Sequence, residues 1–172
     1  MFSNACYKFN PEIKDWKSAG DACNQAGGKL TSIHSQEELD FIVTLVDSSI
    51  NSGIWIGGER DLEGGGNSFR WIDGTSFDFD NWNEDQPDNE YKDTRGYQNC
   101  LEILSKRYGF NDYWCEAKKS FICKKQLMGG MYFKIYLDIL FQTYGLNRLF
   151  VFIHNRKILN IIRCKKAMVA LK

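Results

Sequence analysis

Proline is scarce in this sequence, with two in 172 residues, and no two of its six cysteines form a Cys-x-x-Cys pair. The closest cysteines along the chain are Cys115 and Cys123, a spacing that favours disulfides over a zinc site. Disulfides form in oxidising compartments, so we expect an extracellular, secreted protein. The residues alone leave the pairing of the six cysteines open.

A secretory leader is also missing from the beginning of the sequence. The first eight residues, M-F-S-N-A-C-Y-K, contain no basic start followed by an apolar stretch. Because this conflicts with the predicted disulfides, we expect the N-terminus of this sequence to be truncated.

Histidine is rare as well, and no pattern of an activated nucleophile accompanies His34 or His154. Acidic residues do cluster within 78–93, but they stand beside amides in a single segment. That arrangement suits ion binding better than the protonated acid of a glycoside hydrolase. We therefore expect neither an enzyme nor a nucleic-acid partner, and we expect His34 at the surface.

Aromatic residues are plentiful, with 5 Trp, 8 Tyr and 12 Phe, which argues against disorder. Charge is distributed unevenly. Residues 1–123 hold 12 basic and 21 acidic side chains, a net charge of −9, whereas residues 124–172 hold ten basic and one acidic, a net charge of +9. This break predicts one domain over residues 1–125 and a basic, apolar tail over residues 126–172.

The tail admits three interpretations. Residues 135–153 are apolar enough to suggest a membrane span, but Asp138 and Arg148 would each cost roughly 2.5–3.5 kcal/mol near a bilayer centre, so a span is marginal. A basic amphipathic helix on an anionic surface is the second interpretation. We favour the third, a segment translated past the end of the proper coding region. Cys164 within it is not expected to pair with Cys6.

Apolar spacing predicts two helices in the first domain. Residues 14–26 place Trp16 and Cys23 on one helical face, and a capping box from Ser35 to Glu38 precedes a second helix that should end near residues 47–49. Short strands are predicted around an irregular segment at residues 75–98. These strands cover residues 29–33, 54–58, 69–72, 100–104, 108–111 and 120–124.

Side-chain oxygen donors are concentrated in residues 82–115. Gln86 and Asp88 occur in N-E-D-Q-P-D, and Asn111 and Asp112 occur in F-N-D-Y-W-C. Ca²⁺ takes roughly six to eight oxygen ligands from carboxylates, amide carbonyls and water. The segment therefore predicts a calcium-dependent binding loop.

The order of motifs over residues 6–125 resembles that of C-type lectin-like domains. The shared motifs are L-T-S-I-H-S-Q-E-E, W-I-G-G, W-I-D-G-T, N-W, Q-P-D, F-N-D-Y-W-C and F-I-C. The resemblance implies an α+β, C-type lectin-like fold, with two helices flanking small antiparallel sheets, a long irregular ligand loop, and the disulfides Cys23–Cys123 and Cys100–Cys115. Cys6 resembles a cysteine whose partner would precede this sequence, so it is expected to be unpaired.

The resemblance further implies calcium-dependent carbohydrate binding. The calcium ligands would be Gln86, Asp88, Gln98, Asn111 and Asp112. Since Gln98 stands where the family usually has Glu, affinity for calcium should be weakened. A second calcium site of the family should be absent, because its positions hold Arg60, Gly64, Asn89 and Asn99.

The Q-P-D order resembles that of galactose-type members, whereas mannose-type members carry E-P-N, so the expected partners are galactose-type glycans. Gln86, Asp88, Asn111 and Asp112 would contact the sugar, with Tyr91 or Tyr97 against its apolar face. An intact site should have a cis bond between Gln86 and Pro87. Gln98 leaves an alternative open: a calcium-independent domain that binds a protein or another ligand. The sequence does not predict an oligomeric state.

Overall fold

The structure is a computed structural model that describes residues 2–47, 49–63, 68–89, 96–104, 108–127 and Cys164. The predicted tail therefore lies outside the described residues, apart from Gln126, Leu127 and Cys164, and so does its apolar stretch at residues 135–153. Within the described parts, no helix is both long and apolar enough to cross a membrane.

The described chain contains two helices and seven strands. In chain order these are β1 (Ala5–Lys14), α1 (Trp16–Gln25), β2 (Lys29–Leu30), α2 (Gln36–Val43), β3 (Ile54–Arg60), β4 (Phe69–Trp71), β5 (Cys100–Ile103), β6 (Phe110–Tyr113) and β7 (Lys119–Gln126). The strands form one sheet in the order β1-β7-β3-β5-β6, with β2 paired to β7 and β4 to β3. The predicted α+β fold is confirmed, although the sheet is mixed because β3 and β7 run parallel.

The first strand, β1, is an element that the sequence patterns did not predict. It lies at the edge of the sheet and pairs with β7, from Ala5 opposite Gln126 to Lys14 opposite Lys119. The register is irregular between Asn10 and Lys14, where Pro11 interrupts the donors of the strand. Proline is tolerated at a sheet edge because the missing N–H faces no partner. Strand formation here depends on β7, which is distant in sequence.

Both helices begin at a side-chain cap. Asp15 accepts from the amide of Ser18 at 2.8 Å before α1. Ser35 accepts from the amide of Glu38 at 3.2 Å before α2, as the capping box predicts. The return bond differs from the prediction, because Oε2 of Glu38 accepts from the amide of His34, at 2.8 Å, rather than from that of Ser35.

Helix α2 ends at Val43, several residues before the predicted end at 47–49. The hydroxyl of Thr44 donates to the carbonyl of Phe41 at 2.6 Å. The amides of Leu45 and Val46 then bond to carbonyls three residues back. These bonds close tight turns in place of a further helical turn.

Two buried clusters form the core. One joins α2 to β3, β5, β6 and β7 through buried aliphatic side chains and Trp71. The other surrounds Trp55 beside α1. Phe77 packs on Trp71 with ring centroids 4.9 Å apart, and Trp82 packs on Phe69 at 5.1 Å. These contacts attach the start of the irregular segment to the core.

Three disulfides are present. Cys23 is bonded to Cys123 and Cys100 to Cys115, the two pairs implied by the resemblance. The expectation that Cys6 is unpaired was wrong, because Cys6 is bonded to Cys164 with a Cα–Cα distance of 5.3 Å. That distance lies in the ordinary disulfide range. The pair is separated by 158 residues, so no local pattern could reveal it.

Candidate functional site

The irregular segment is attached to β6 near the middle of its length. The amide of Asn83 donates to the carbonyl of Phe110 at 3.0 Å, and the amide of Phe110 donates to the carbonyl of Asn81 at 2.7 Å. The Cys100–Cys115 bridge closes the β5–β6 hairpin from the other side. Residues after Asn83 are thereby held next to β6, which contains Asn111 and Asp112. The bond between Gln86 and Pro87 is cis, as expected.

Asp112 is the centre of the predicted ligand set and is fully buried. Its Oδ1 accepts from the amide of Asp88 at 3.2 Å, and its Oδ2 accepts from the amide of Asn89 at 3.0 Å. Burial raises the pKa of the Asp112 carboxyl, and the neighbouring Arg60 opposes that rise. The carboxylate thus fixes the backbone just after Pro87.

Arg60, at the end of β3, has a role that the sequence analysis missed. Its Nη2 forms a buried ion pair with Oδ2 of Asp112. Its Nε donates to the carbonyl of Gln98 at 3.1 Å, and its guanidinium lies 4.7 Å from the centroid of the Phe69 ring. Burial lowers the pKa of Arg60, against the opposing effect of Asp112. The only sign of this role in the sequence was an arginine, Arg60, at a position where calcium-binding members of the family carry an acid.

Gln98 is buried two residues before the first residue of β5. The amide orientation that satisfies its neighbours places Nε2 at 3.2 Å from Oδ1 of Asp88 and 2.5 Å from the carbonyl oxygen of Asp112. In that orientation Gln98 donates two hydrogen bonds into the ligand set. A glutamate at this position would supply an acceptor instead.

Asn111 is oriented by a buried ion pair that sequence reasoning also missed. Its Nδ2 donates to Oε1 of Glu102 at 2.8 Å, and Oε2 of Glu102 lies 2.9 Å from Nζ of Lys119. Lys119 in turn stands 3.7 Å from the centroid of the Tyr113 ring. A Cβ at Gly53 would fall 1.5 Å from Oε2 of Glu102, so a larger residue at Gly53 would displace this carboxylate. Because Nδ2 is committed to Glu102, Oδ1 of Asn111 faces the other way.

The donor chemistry of these residues fits a calcium ion, whereas their charge fits it only weakly. Oε1 of Gln86 is buried and has no hydrogen-bond partner among the described residues, which leaves an oxygen available to a ligand. The carboxylates of Asp88 and Asp112 contribute −2, and the guanidinium of Arg60 reduces the net charge to −1. In the described ranges, no three His, Cys, Asp or Glu side chains form a metal-binding group. An ion here would therefore depend on amide oxygens.

The positions of the family's second calcium site carry no additional acid in the described residues. The guanidinium of Arg60 forms an ion pair with Asp112, and Gly64 lies outside the described residues. The side-chain oxygens of Asn89 and Asn99 are buried and find no partner within the described chain.

Of the two tyrosines predicted to face a sugar, the structure describes Tyr97. It is exposed, with 58% of its surface accessible, and it precedes Gln98 directly. Tyr91 lies outside the described residues. Trp114 is buried, and its Nε1 donates to the carbonyl of Gly96 at 2.9 Å, so it supports the chain beside Tyr97.

His34 lies in a second polar cluster and is less exposed than expected. Its Nδ1 is 2.7 Å from Oδ1 of Asp78, and its Nε2 is 3.1 Å from Oγ of Ser32. This order of Asp, His and Ser resembles a catalytic triad, but Ser32 is fully buried and donates to Asp73 at 2.6 Å. A nucleophile needs access to its substrate, so this cluster serves as structure.

A family profile described as "Lectin C-type domain" matches residues 12–125. The chain belongs to the C-type lectin domain family. This family is one of carbohydrate-binding domains and not of enzymes, in agreement with the expectation that the chain is not an enzyme.

The chain is similar to a lectin and to a carbohydrate-recognition domain of known structure. The chain is 36% identical over 124 residues to the galactose-specific lectin nattectin of Thalassophryne nattereri, and the match covers 71% of this chain and 74% of nattectin. The carbohydrate-recognition domain of cow CD23, solved in the presence of a GlcNAc2Man3 oligosaccharide, has a TM-score of 0.63 and 30% identity. That match covers 74% of this chain and 92% of the CD23 chain.

A solved structure without a calcium requirement is equally similar in fold. A calcium-independent type II antifreeze protein has a TM-score of 0.64 and 26% identity, covering 74% of this chain and 91% of its own. Proteins with this fold therefore include a carbohydrate-recognition domain and a calcium-independent antifreeze protein.

Proposed function

We propose that this domain is an extracellular lectin that binds glycans at the surface formed by Gln86, Asp88, Asn111 and Asp112. The observation that carries the proposal is the buried Oε1 of Gln86, which has no hydrogen-bond partner among the described residues. A buried acceptor without a donor is costly unless a ligand or an ion completes it. The disulfides support the extracellular location.

Calcium would be held by Gln86, Asp88, Asn111 and Asp112, with Gln98 at the edge of the set. When bound, the ion would coordinate a pair of sugar hydroxyls through their oxygens. The chain's own side chains would orient the sugar, since amides and carboxylates accept from or donate to those same hydroxyls. Oδ1 of Asn111 is available for this because Glu102 takes its Nδ2.

A galactose-type glycan is the proposed ligand. The amide of Gln86 precedes the carboxylate of Asp88, and this order decides which hydroxyl geometry meets an acceptor and which meets a donor. The exposed ring of Tyr97 offers an apolar face to a sugar near the same loop. Similarity to a galactose-specific lectin supports the same choice.

A glycan array with about 5 mM calcium and with chelator tests this function, since extracellular modules bind calcium at roughly millimolar concentration. We expect signal on galactose-terminated glycans in calcium and its loss in chelator. The Asp88→Ala variant should lose the signal, and the exposed Asp21→Ala variant in α1 should keep it. Absence of glycan binding in both buffers would overturn the proposal.

A second candidate function is favoured by a specific observation. Arg60 and Gln98 both donate hydrogen bonds to groups of the ligand set, so the loop has cationic and amide partners without a metal ion. A domain satisfied in this way could bind a protein or another ligand independently of calcium. Ligand binding that is equal in calcium and in chelator would select this function over the first.

A further inference from the structure

A buried positive charge lies beside the residues that are proposed to bind calcium. The side chain of Arg60 is 4% exposed and that of Asp112 is 0% exposed, and the two form an ion pair. The pair joins the end of β3 to β6, which are not neighbours in the sheet. A guanidinium is thus fixed against one of the proposed calcium ligands.

Several contacts hold this guanidinium in place. Its Nε donates to the carbonyl of Gln98 at 3.1 Å, and its own backbone amide donates to the carbonyl of Asn99 at 2.8 Å. The ring of Phe69 covers one face, with its centroid 4.7 Å from Cζ. A planar fork with several fixed donors is suited to binding oxygen atoms in one geometry.

The amide of Gln98 complements this charge. Its Nε2 donates to Oδ1 of Asp88 and to the backbone carbonyl of Asp112. Between them, Arg60 and Gln98 therefore supply donors to both carboxylates of the proposed ligand set. Those are the groups that would repel one another if no cation or donor lay between them.

We propose that Arg60 is a resident cation. Together with the Gln98 amide, it holds the carboxylates of Asp88 and Asp112 in place without a metal ion and thereby weakens calcium binding. The inference deepens the proposed function, on which it rests for the role of calcium at this loop. Calcium would then be needed for ligand binding, and it would stabilise the residues around Asp88 and Asp112 less than in a site without this arginine. Affinity in oxygen sites rises with the negative charge of the ligands, and a fixed positive charge beside them lowers it.

Two substitutions test this by different chemical changes, using the whole oxidised chain and calcium as the probe. Arg60→Gln removes the cation, and Gln98→Glu replaces a donor with a carboxylate. Both variants should lose thermal stability in chelator. Both should also bind calcium at least about tenfold more tightly than the wild type by isothermal titration.

Calcium should restore much of the lost stability. We expect the rise in Tm between chelator and about 10 mM calcium to exceed that of the wild type by about 4 °C or more in each variant. Arg60→Lys keeps the charge without the fork and should lie between the wild type and Arg60→Gln. If Arg60→Gln does not fold, Arg60→Lys and Gln98→Glu carry the test.

Arg70 provides a matched control. It lies on β4, 53% of its side chain is exposed, and its Nε is 2.9 Å from Glu59. Arg70→Gln makes the same change of charge outside the ligand loop, so its calcium affinity and its Tm shift should equal those of the wild type.

The proposal is overturned if both Arg60→Gln and Gln98→Glu lose stability that calcium does not restore, because Arg60 would then have a structural role only. It is also overturned if both variants keep the calcium affinity of the wild type. These measurements use no sugar. Failure of the wild type to bind glycans would thus remove the proposed function and leave this comparison intact.

Discussion

At the scale of single residues, the site depends on side chains that orient other side chains. Asn111 could present either end of its amide to a ligand, and Glu102 removes that choice by accepting from Nδ2. Glu102 can stay buried because Lys119 lies beside it, although burial still raises the pKa of the Glu102 carboxyl. One ion pair in the core thus determines which atom of Asn111 faces the proposed ligand site.

The variant Glu102→Gln tests this role. It leaves Lys119 buried without its carboxylate, so we expect the free energy of unfolding in urea to fall by about 3 kcal/mol. The affinity for glycans should fall by more than the loss of stability alone explains, because the amide of Asn111 loses its fixed orientation.

The exposed pair between Lys17 and Asp21 in α1 is the control. Asp21→Asn should leave stability and glycan binding unchanged, since exposed pairs contribute little. A Glu102→Gln protein as stable as Asp21→Asn would contradict the role assigned to Glu102.

At the scale of elements, a polar cluster joins α2, β7 and the turn after β4. Ser32 donates to Asp73 at 2.6 Å, and the amide and hydroxyl of Thr75 donate to it at 3.0 and 2.6 Å. Nζ of Lys124 lies 2.8 Å from Glu38 and 3.0 Å from Oγ of Ser32. Burial alone would raise the pKa of Asp73, but its hydrogen bonds outweigh burial and lower it below the ordinary value.

This lowered pKa predicts a loss of stability in acid. The unfolded chain takes up its proton near pH 4, whereas the folded Asp73 resists protonation to a lower pH. The contribution of Asp73 is therefore complete above about pH 4 and is lost as the pH falls through the folded pKa.

Thermal melting of Asp73→Asn between about pH 7 and pH 2 tests whether the contribution of Asp73 to stability is lost as the pH falls. The variant should be less stable than the wild type at neutral pH, and the difference should narrow below about pH 4. A difference that is constant with pH would show that the carboxylate charge of Asp73 has no part in this stability.

The same scale shows where local sequence patterns succeed and fail. The spacing of Leu39 and Ile42 and the cap at Ser35 predicted α2, because these signals act within a few residues. In contrast, β1 forms only on β7, and its sequence contains Pro11, so no local pattern predicted it. The contact between Arg60 and Asp112 depends on the packing of distant strands in the same way.

At the scale of the whole molecule, the Cys6–Cys164 bridge connects the lectin domain to the segment that follows it. The charge break in the sequence predicted a boundary near residue 125, which remains a prediction. The resemblance could indicate that Cys6 needs a partner, but it pointed to a residue before Met1.

Removing this bridge should lower stability, because it closes a loop of most of the chain in the unfolded state. We expect Cys6→Ser/Cys164→Ser to lose about 2–4 kcal/mol in urea unfolding, and its glycan binding to remain. Peptide mapping without reduction should recover a Cys6–Cys164 cross-linked peptide from the wild type. Its absence, or a double variant of unchanged stability, would contradict the bridge.

Glycan binding with calcium at Gln86 and Asp88 is tested by a variant in which amide and carboxylate change places at these two positions. The measurement is equilibrium binding of galactose- and mannose-terminated conjugates, in calcium and in chelator, to the wild type and to Gln86→Glu/Asp88→Asn. We expect the wild type to bind the galactose conjugate in calcium only, and we expect the exchange to move the preference towards mannose. Galactose binding that survives both the chelator and the exchange would contradict it.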